Sequence, residues 1–338
     1  MKALLRDVAA SLAGGDGEDG DPFFHDAGYE PFPLDDAHFQ ELVPRSDGKL
    51  WFVDGGNAEL AVSGSRMVSL IRLFAYSCVN GQAEKKFRRA EFFCIAQPVR
   101  HHDTLLYAAS YVPVDVPAGV LPQLALSPAD PTIREGVFSA DLAVIPGIAR
   151  RFAEWLFAAH IVEREGEAGD VLVRDGTLQA GITGESAAAE RLYRAAQEKQ
   201  VTVAALSKTT KLFTSTGKDL LGVLYRRGSA LHEHKPWAYH PIADSGSPNH
   251  RAALFAAKLH GRGQHAFRID VLREQAGGAE RALALIAGNS NDRRFLGYPF
   301  GLIAADNYAR VTSHEKNYYR SVFAGRDDPH ELLNRLVS

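Results

Sequence analysis

Four acidic residues sit where side chains of their type could do chemistry. Asp54 follows the apolar run LWFV and Asp175 follows VLVR, and each is followed by glycine. An Asp at the carboxyl end of a buried strand projects into the crevice above a sheet, and the following glycine lets a ligand approach the backbone. The simpler alternative is that each Asp-Gly starts a turn. Glu154 lies in the helical pattern RRFAEWLFAA, flanked by Phe152, Trp155 and Leu156, with Phe157, Ala158 and Ile161 continuing its own stripe. A carboxylate among such neighbours must be paired or liganded, because burying it bare costs several kcal/mol. Either an ion pair with Arg150 four residues earlier or a metal ion would satisfy it. Asp306, with Leu302, Ile303 and Ala309 at helical spacing, either shares that chemistry or is an edge residue bonded to Arg310 or Tyr308. Four acids converging on one point could hold two divalent cations, one activating water and one stabilising the leaving oxygen in phosphodiester cleavage.

Other reactive types are weaker candidates. Lys208, in LSKTTKL, is placed after a strand where it could meet a phosphate as a point charge or simply be solvated, and Lys211 shares that ambiguity. Tyr298, Phe300, Phe213 and Arg174 could stack bases or contact phosphates. His232, His234 and His240 in LHEHKPWAYHP, and the pair His101-His102, read as exposed loop residues, so no metal is assigned to them. Asp103 and Asp141 lie near strands, and Asp270, alternating with Ile269 and Val271, is expected to face solvent. Nothing resembles a GxSxG elbow or a catalytic cysteine motif. Cys78 and Cys94 sit in apolar runs and are expected to be buried, reduced thiols.

The elements that must position these residues read as mixed α/β. Strands are predicted at 50–53, 66–79, 90–99 and 104–114, then a helix at 146–165 with Pro146 in its first turn. A strand at 170–178, a helix at 185–200 and a strand with a polar loop at 201–212 follow, which calls for parallel crossovers after the first helix. A hairpin is expected around Gly261 and Gly263, and one last helix over 298–316. Residues 1–13 have a short amphipathic pattern, and 15–48 are broken by Gly/Asp runs and by Pro22, Pro31, Pro33 and Pro44. The expected division is an acidic, partly flexible segment 1–48, a catalytic domain 49–317 and a C-terminal tail or helix 318–338.

With 338 residues, 46% hydrophobic and 23% charged, the chain has the balance of a soluble globular protein, which excludes disordered, collagen-like and disulfide-stapled classes. No run approaches the ~18 apolar residues of a membrane span, so a cytoplasmic location without membrane association is expected. The net charge of −3 is unevenly spread. Residues 1–49 hold 11 acidic against 4 basic side chains, which leaves a mildly basic body.

Taken together, LWFVDGG, RRFAEWLFAA ahead of VLVRDGTL, VAALSKTTKL and GYPFGLIAADNYARV resemble the NurA nucleases, the RNase H-like partners of the hexameric HerA DNA-pumping ATPase. The resemblance spans about residues 50–315. It implies an RNase H-like mixed sheet flanked by helices, with insertions, in which the first strand supplies Asp54, the first helix Glu154 and the next strand Asp175. It also implies a manganese- or magnesium-dependent deoxyribonuclease, a 5′-to-3′ exonuclease and single-strand endonuclease of DNA-end resection in homologous recombination. Such a protein is a homodimer that acts on single strands and duplex ends and docks on the HerA ring. Many members of that family place a histidine where this chain has Asp306; an Asp there is a sound oxygen ligand, and His314 is a weak substitute. Two other classes remain open. One is an actin-like ATPase or sugar kinase, although Asp54-Gly55-Gly56-Asn57-Ala58 lacks the hydroxyl and Asp175-Gly176-Thr177-Leu178 the second glycine of its phosphate loops. The other is a catalytically silent DNA-binding adaptor.

Overall fold

The computed structural model describes residues 18–324; the amphipathic pattern at 1–13 and the end of the chain beyond 324 lie outside the described residues. A single 12-stranded mixed sheet organises the molecule. Its strands are β1 (Phe39–Glu41), β2 (Lys49–Ser63), β3 (Arg66–Val79), β4 (Gln82–Ala83), β5 (Arg88–His101), β6 (Thr104–Asp115), β7 (Ala125–Leu126), β8 (Val171–Asp175), β9 (Thr202–Ser207), β10 (Trp237–Tyr239), β11 (Ala252–Lys258) and β12 (Phe267–Leu272). Across the sheet the order is β1-β10-β11-β12-β9-β8-β2-β3-β5-β6-β7, with β4 paired to β3.

The middle of this order is an RNase H-like core. Strands β5, β3 and β2 form an antiparallel meander, and β8 and then β9 add in parallel beyond β2. The crossovers are α1 (Ile145–Glu165), which leads into β8, and α2 (Glu185–Lys199), which joins β8 to β9. Parallel neighbours need such long connections, and the helices then cover the sheet face. Side chains alternate accordingly. Trp51, Val53, Leu73, Ala75, Leu172 and Val203 pack under α1 and α2. Leu50, Phe52, Val171, Val173 and Leu206 pack under two further helices, α4 (Ala279–Gly288) and α5 (Phe300–Ala309). Between β9 and β10 lies α3 (Leu220–Leu231), which closes a third core with Trp237, Tyr239 and Leu254.

Three expectations change. The first strand does not stop at Asp54: it runs nine residues further, to Ser63, paired with β3 throughout apart from a bulge between Glu59 and Ala61. Gly55 and Gly56 are therefore strand residues, placed where other parts of the molecule come close. A Cβ on Gly55 would lie 2.6 Å from Glu154 Oε1, and one on Gly56 2.4 Å from the carbonyl oxygen of Ala309. The helix expected over 298–316 is two, α5 and α6 (Ser313–Ala324). Thr312 and Glu315 form a capping box that starts α6, Thr312 N–H donating to Glu315 Oε2 at 2.8 Å and Glu315 N–H to Thr312 Oγ1 at 3.2 Å. Arg72 of β3 fixes the break by donating to the Arg310 carbonyl at 3.0 Å and to Glu315 at 2.7 Å. Finally, Asp270 does not face solvent. It is fully buried, accepting from Arg268 Nε at 2.7 Å and from Leu178 N–H at 3.0 Å, and it lies 2.8 Å from His250 Nε2.

The proline-broken stretch 18–48 crosses the C-terminal half of the chain. It adds β1 at the sheet edge and pairs Pro22–Phe23 with Phe213–Thr214 and Tyr29–Pro31 with Ala243–Ser245. The tail expected from residue 318 continues α6 as far as Ala324. Cys78 and Cys94 are buried free thiols, and burial pushes them up to about 11 and about 12. No helix among the described residues is long and apolar enough to cross a membrane.

Candidate active site

Asp54 and Asp175 come together because β2 and β8 run in parallel and in register. Val53 is paired with Arg174, and each Asp is the next residue. Alternation from Leu50, Phe52, Val171 and Val173 puts both carboxylates on the α5 side of the sheet. They line an open cleft of ≈ 400 Å³ together with Glu154, Arg150, Arg174 and Lys208.

Asp54 is 6% exposed, and its Oδ1 accepts the N–H of Gly55 at 2.7 Å. Burial, and then the negative charges of Glu154 and Asp175, push it up to about 7, with Asp306 adding to the effect. Lys208, the first residue after β9, reaches Asp175 Oδ2 at 3.3 Å and lies 5.2 Å from the centre of the Tyr298 ring. The Tyr298 hydroxyl is buried without a hydrogen-bond partner, and burial followed by the charges of Asp175, Asp54 and Asp306 raises its pKa.

Glu154 enters the cleft from the α1 side, beside Gly55. Of the two sequence readings, the ion pair is the one seen, since Arg150 one turn earlier binds its Oε1. Arg150 also donates to the Gly55 carbonyl at 2.9 Å. Arg174, alternating to this face from β8, donates to Glu154 Oε2 at 3.2 Å and to the Thr177 carbonyl at 2.9 Å. Its guanidinium lies 3.7 Å from the centre of the Trp155 ring. Burial pushes Glu154 up despite these cations. Arg174 is thus a buried support of Glu154 rather than the surface phosphate contact that the sequence suggested.

The structure gathers Asp54, Glu154, Asp175 and Lys208 at one cleft. Asp306 lines a neighbouring hollow of ≈ 330 Å³ with Lys208, Tyr298 and Phe295, and bonds Arg310 at 2.8 Å. His314 lies beyond it, exposed in the first turn of α6. The four acids do not close on one point as expected, and among the described residues no three Asp, Glu, His or Cys side chains form a metal-ligand cluster. The reason is the two-sided geometry: Asp54 and Asp175 leave the sheet on one face, while Glu154 sits on the other between two arginines. The donor chemistry nonetheless fits a hard divalent cation. It is all oxygen, burial and then the neighbouring carboxylates push Asp54 up to about 7, and an orphaned hydroxyl lies alongside.

Sequence reasoning missed the inner supports. Glu185, in the first turn of α2, is fully buried and accepts from Trp155 Nε1 at 2.7 Å and from Arg151. Ser207 Oγ donates to the Gly176 carbonyl at 2.7 Å and pins the turn after Asp175. Only the four-residue spacing of Arg150 and Glu154 was a legible signal. Among the other candidates, His240 stacks on Phe255 with ring centres 4.1 Å apart, His232 is half-buried, His234 is exposed, and Asp141 caps a short helical turn at Leu142–Val144.

Strand order and the placement of Asp54 and Asp175 define an RNase H-like fold with an acidic cleft at its central strands. The chain is similar over almost its whole length to the NurA nuclease from Sulfolobus solfataricus, with a TM-score of 0.55 and 14% identity over 96% of this chain and 93% of that one, and it has a NurA-like fold. A structure of NurA bound to dAMP and manganese aligns with a TM-score of 0.49 and 8% identity over 88% of this chain and 92% of that one. No family model and no curated protein matches the sequence significantly.

Proposed function

We propose that this protein is a divalent-metal-dependent nuclease that hydrolyses phosphodiester bonds in DNA. The observation that carries the reading is the pairing of Asp54 and Asp175 on adjacent parallel strands of an RNase H-like sheet, with Glu154 and Lys208 in the same cleft. Asp54, Asp175 and Glu154 would hold Mn²⁺ or Mg²⁺, with Asp306 as the outlying fourth acid of a two-ion site. The ions, when bound, supply a Lewis acid and an activated water.

The chain's own groups do the rest. The Gly55 N–H binds one oxygen of the Asp54 carboxylate and leaves the other for a cation. Lys208 offers an ammonium at the rim as a point charge for the scissile phosphate and for the charge that grows on it. Arg150 and Arg174 keep Glu154 compensated until it is recruited, which avoids an isolated buried carboxylate. In the kinase alternative, the residues after Asp54 form a phosphate loop, but here Gly55, Gly56 and Asn57 are hydrogen-bonded strand.

The resemblance to the NurA family extends the proposal to 5′-to-3′ exonuclease and single-strand endonuclease activity in DNA-end resection, by a homodimer working with a HerA-type hexameric ATPase. The test is cleavage of end-labelled single- and double-stranded DNA with Mn²⁺, Mg²⁺ or EDTA, with and without that ATPase, for the wild type, Asp54→Ala and Asp175→Ala. Cleavage that needs metal and is lost in both folded variants supports the reading. A wild type that never cuts, or variants that cut as well as it does, overturns it.

A further inference from the structure

A second feature shares the site's face of the sheet. Asp54 is paired across the ladder with Phe74 of β3, and Phe74 with Arg89 of β5. Paired residues in an antiparallel ladder project to the same side, so a row runs Asp54, Phe74, Arg89 on the α5 face. The opposite face is accounted for separately, because neighbouring Leu73, Ala75 and Ala90 pack under α1. At ~4.8 Å between strands, Arg89 stands about 10 Å from Asp54, the length of about three stacked nucleotides.

Three aromatic rings occupy this row. Tyr308 of α5 stacks on Phe74, with ring centres 4.6 Å apart and planes at 24°. Phe87, just before β5, meets Tyr308 edge-on at 5.6 Å. Phe74 is buried, but Phe87 is 71% exposed and Tyr308 48%. Two large rings thus stand in water, held in fixed orientation by a third. The cations beside them are Lys85 and Arg89, both exposed, and neither side chain makes a hydrogen bond or ion pair among the described residues. Two nearby cations are already spent: Lys86 bonds Glu165 at 2.8 Å, and Arg88 is buried against the same carboxylate.

Exposed aromatic faces interleaved with free cations match a single-stranded nucleic acid, whose bases stack without regard to sequence and whose phosphates need counter-charges. An apolar protein partner would leave Lys85 and Arg89 uncompensated. We propose that Phe87 and Tyr308 form a stacking shelf for bases of a single strand, with Arg89 and Lys85 on its phosphates, and that this shelf leads the strand to Asp54 and Asp175. This inference rests on the nuclease reading and names the residues that would hold an unpaired strand beside the cleft.

The test is equilibrium binding of a short fluorescent single-stranded oligonucleotide to the full chain in EDTA, where no cleavage occurs, over a salt series. Phe87→Ala is expected to weaken binding roughly 5- to 150-fold, the loss of one stacked base, with the salt slope unchanged. Phe87→Tyr should restore it. Arg89→Gln should lower the salt slope by about 0.7, the loss of one phosphate contact on a single strand. In an oligonucleotide carrying 2-aminopurine, fluorescence should be quenched on binding to the wild type and to Phe87→Tyr, but not to Phe87→Ala. Unchanged melting temperatures separate these effects from misfolding. If the wild type binds and cuts single strands while Phe87→Ala and Arg89→Gln bind as tightly, the shelf is wrong and the nuclease reading stands. If Phe87→Ala changes the oligomeric state and leaves affinity alone, the patch is a protein interface and the shelf is again wrong. If the wild type binds no single strand at any salt yet cuts DNA with metal, the shelf falls and the nuclease reading stands; if it neither binds nor cuts, both fall.

Discussion

Replacing Asp54 by asparagine should stabilise the metal-free protein, and the gain should depend on pH. The side chain is buried, with Glu154 and Asp175 in the same cleft and Asp306 nearby, and the folded state holds its proton up to about 7 against 3.8 ordinarily. Below pH 3.8 it is protonated in both states and costs nothing. Between 3.8 and 7 the folded protein binds the proton and the unfolded chain does not, so stability falls as pH rises, by ~1.4 kcal/mol per pH unit. Above 7 the loss is constant, and a gap of about three pH units makes it about 4 kcal/mol at most. Asparagine keeps the oxygen that accepts the Gly55 N–H and removes the charge, so Asp54→Asn should be the more stable protein by up to that amount at pH 8. For a chain of this length, with ~2.1 cal/mol/K of unfolding entropy per residue, that is about 6 °C in Tm. Thermal unfolding in EDTA from pH 4 to 8 reads the difference directly. Saturating Mn²⁺ should then raise the wild-type Tm and close much of the gap, because a cation bound only by the folded state stabilises by mass action. A gap that does not grow with pH, or an asparagine variant no more stable at pH 8, would refute the burial of Asp54 beside other carboxylates on which the metal assignment leans.

Lys208→Met should lower the metal-dependent cleavage rate by about 10²- to 10³-fold while leaving oligonucleotide affinity nearly intact, as expected of a charge that acts at the reacting phosphate; a rate close to wild type in single-turnover cleavage would reduce Lys208 to a solvated loop residue. Gly56→Ala would place a methyl 2.4 Å from the backbone oxygen of Ala309, which has no side-chain freedom to yield. It should cost about 1–3 kcal/mol by overpacking, and a calorimetric melt matching the wild type would show that α5 does not sit on β2 as described. Asp270→Asn leaves Arg268 buried without its carboxylate and should cost about 3–5 kcal/mol near neutral pH. Arg268 and His250 hold the Asp270 carboxyl well below its usual range despite burial, so its contribution is complete above about pH 4 and is lost on acidification. The deficit of the variant should therefore shrink as pH falls below 3.8 in urea titrations, and a deficit independent of pH would argue against the buried pair.

The sequence by itself settled what local pattern can settle. Apolar runs rich in β-branched and aromatic residues marked β2, β3, β5 and β6, the amphipathic period marked α1 and α2, and the DG pairs picked out Asp54 and Asp175 before any sheet existed. Glu154 stood out because a carboxylate in so apolar a helix needs a partner, and the Arg150 partner follows from spacing. What the sequence did not carry was register and facing. That Asp54 lies within a 15-residue strand depends on β3 continuing to pair with it past the two glycines, a long-range contact that leaves no local mark. Asp270 alternates with apolar neighbours as an exposed strand residue would, yet its side of the sheet is covered, Arg268 two residues earlier on the same strand pairs with it, and His250 reaches it from outside the strand. The division of the acids between two sheet faces, and the row from Asp54 through Phe74 to Arg89, likewise exist only once the strands are laid side by side. One residue's slip in the ladder would send every one of those side chains to the opposite face.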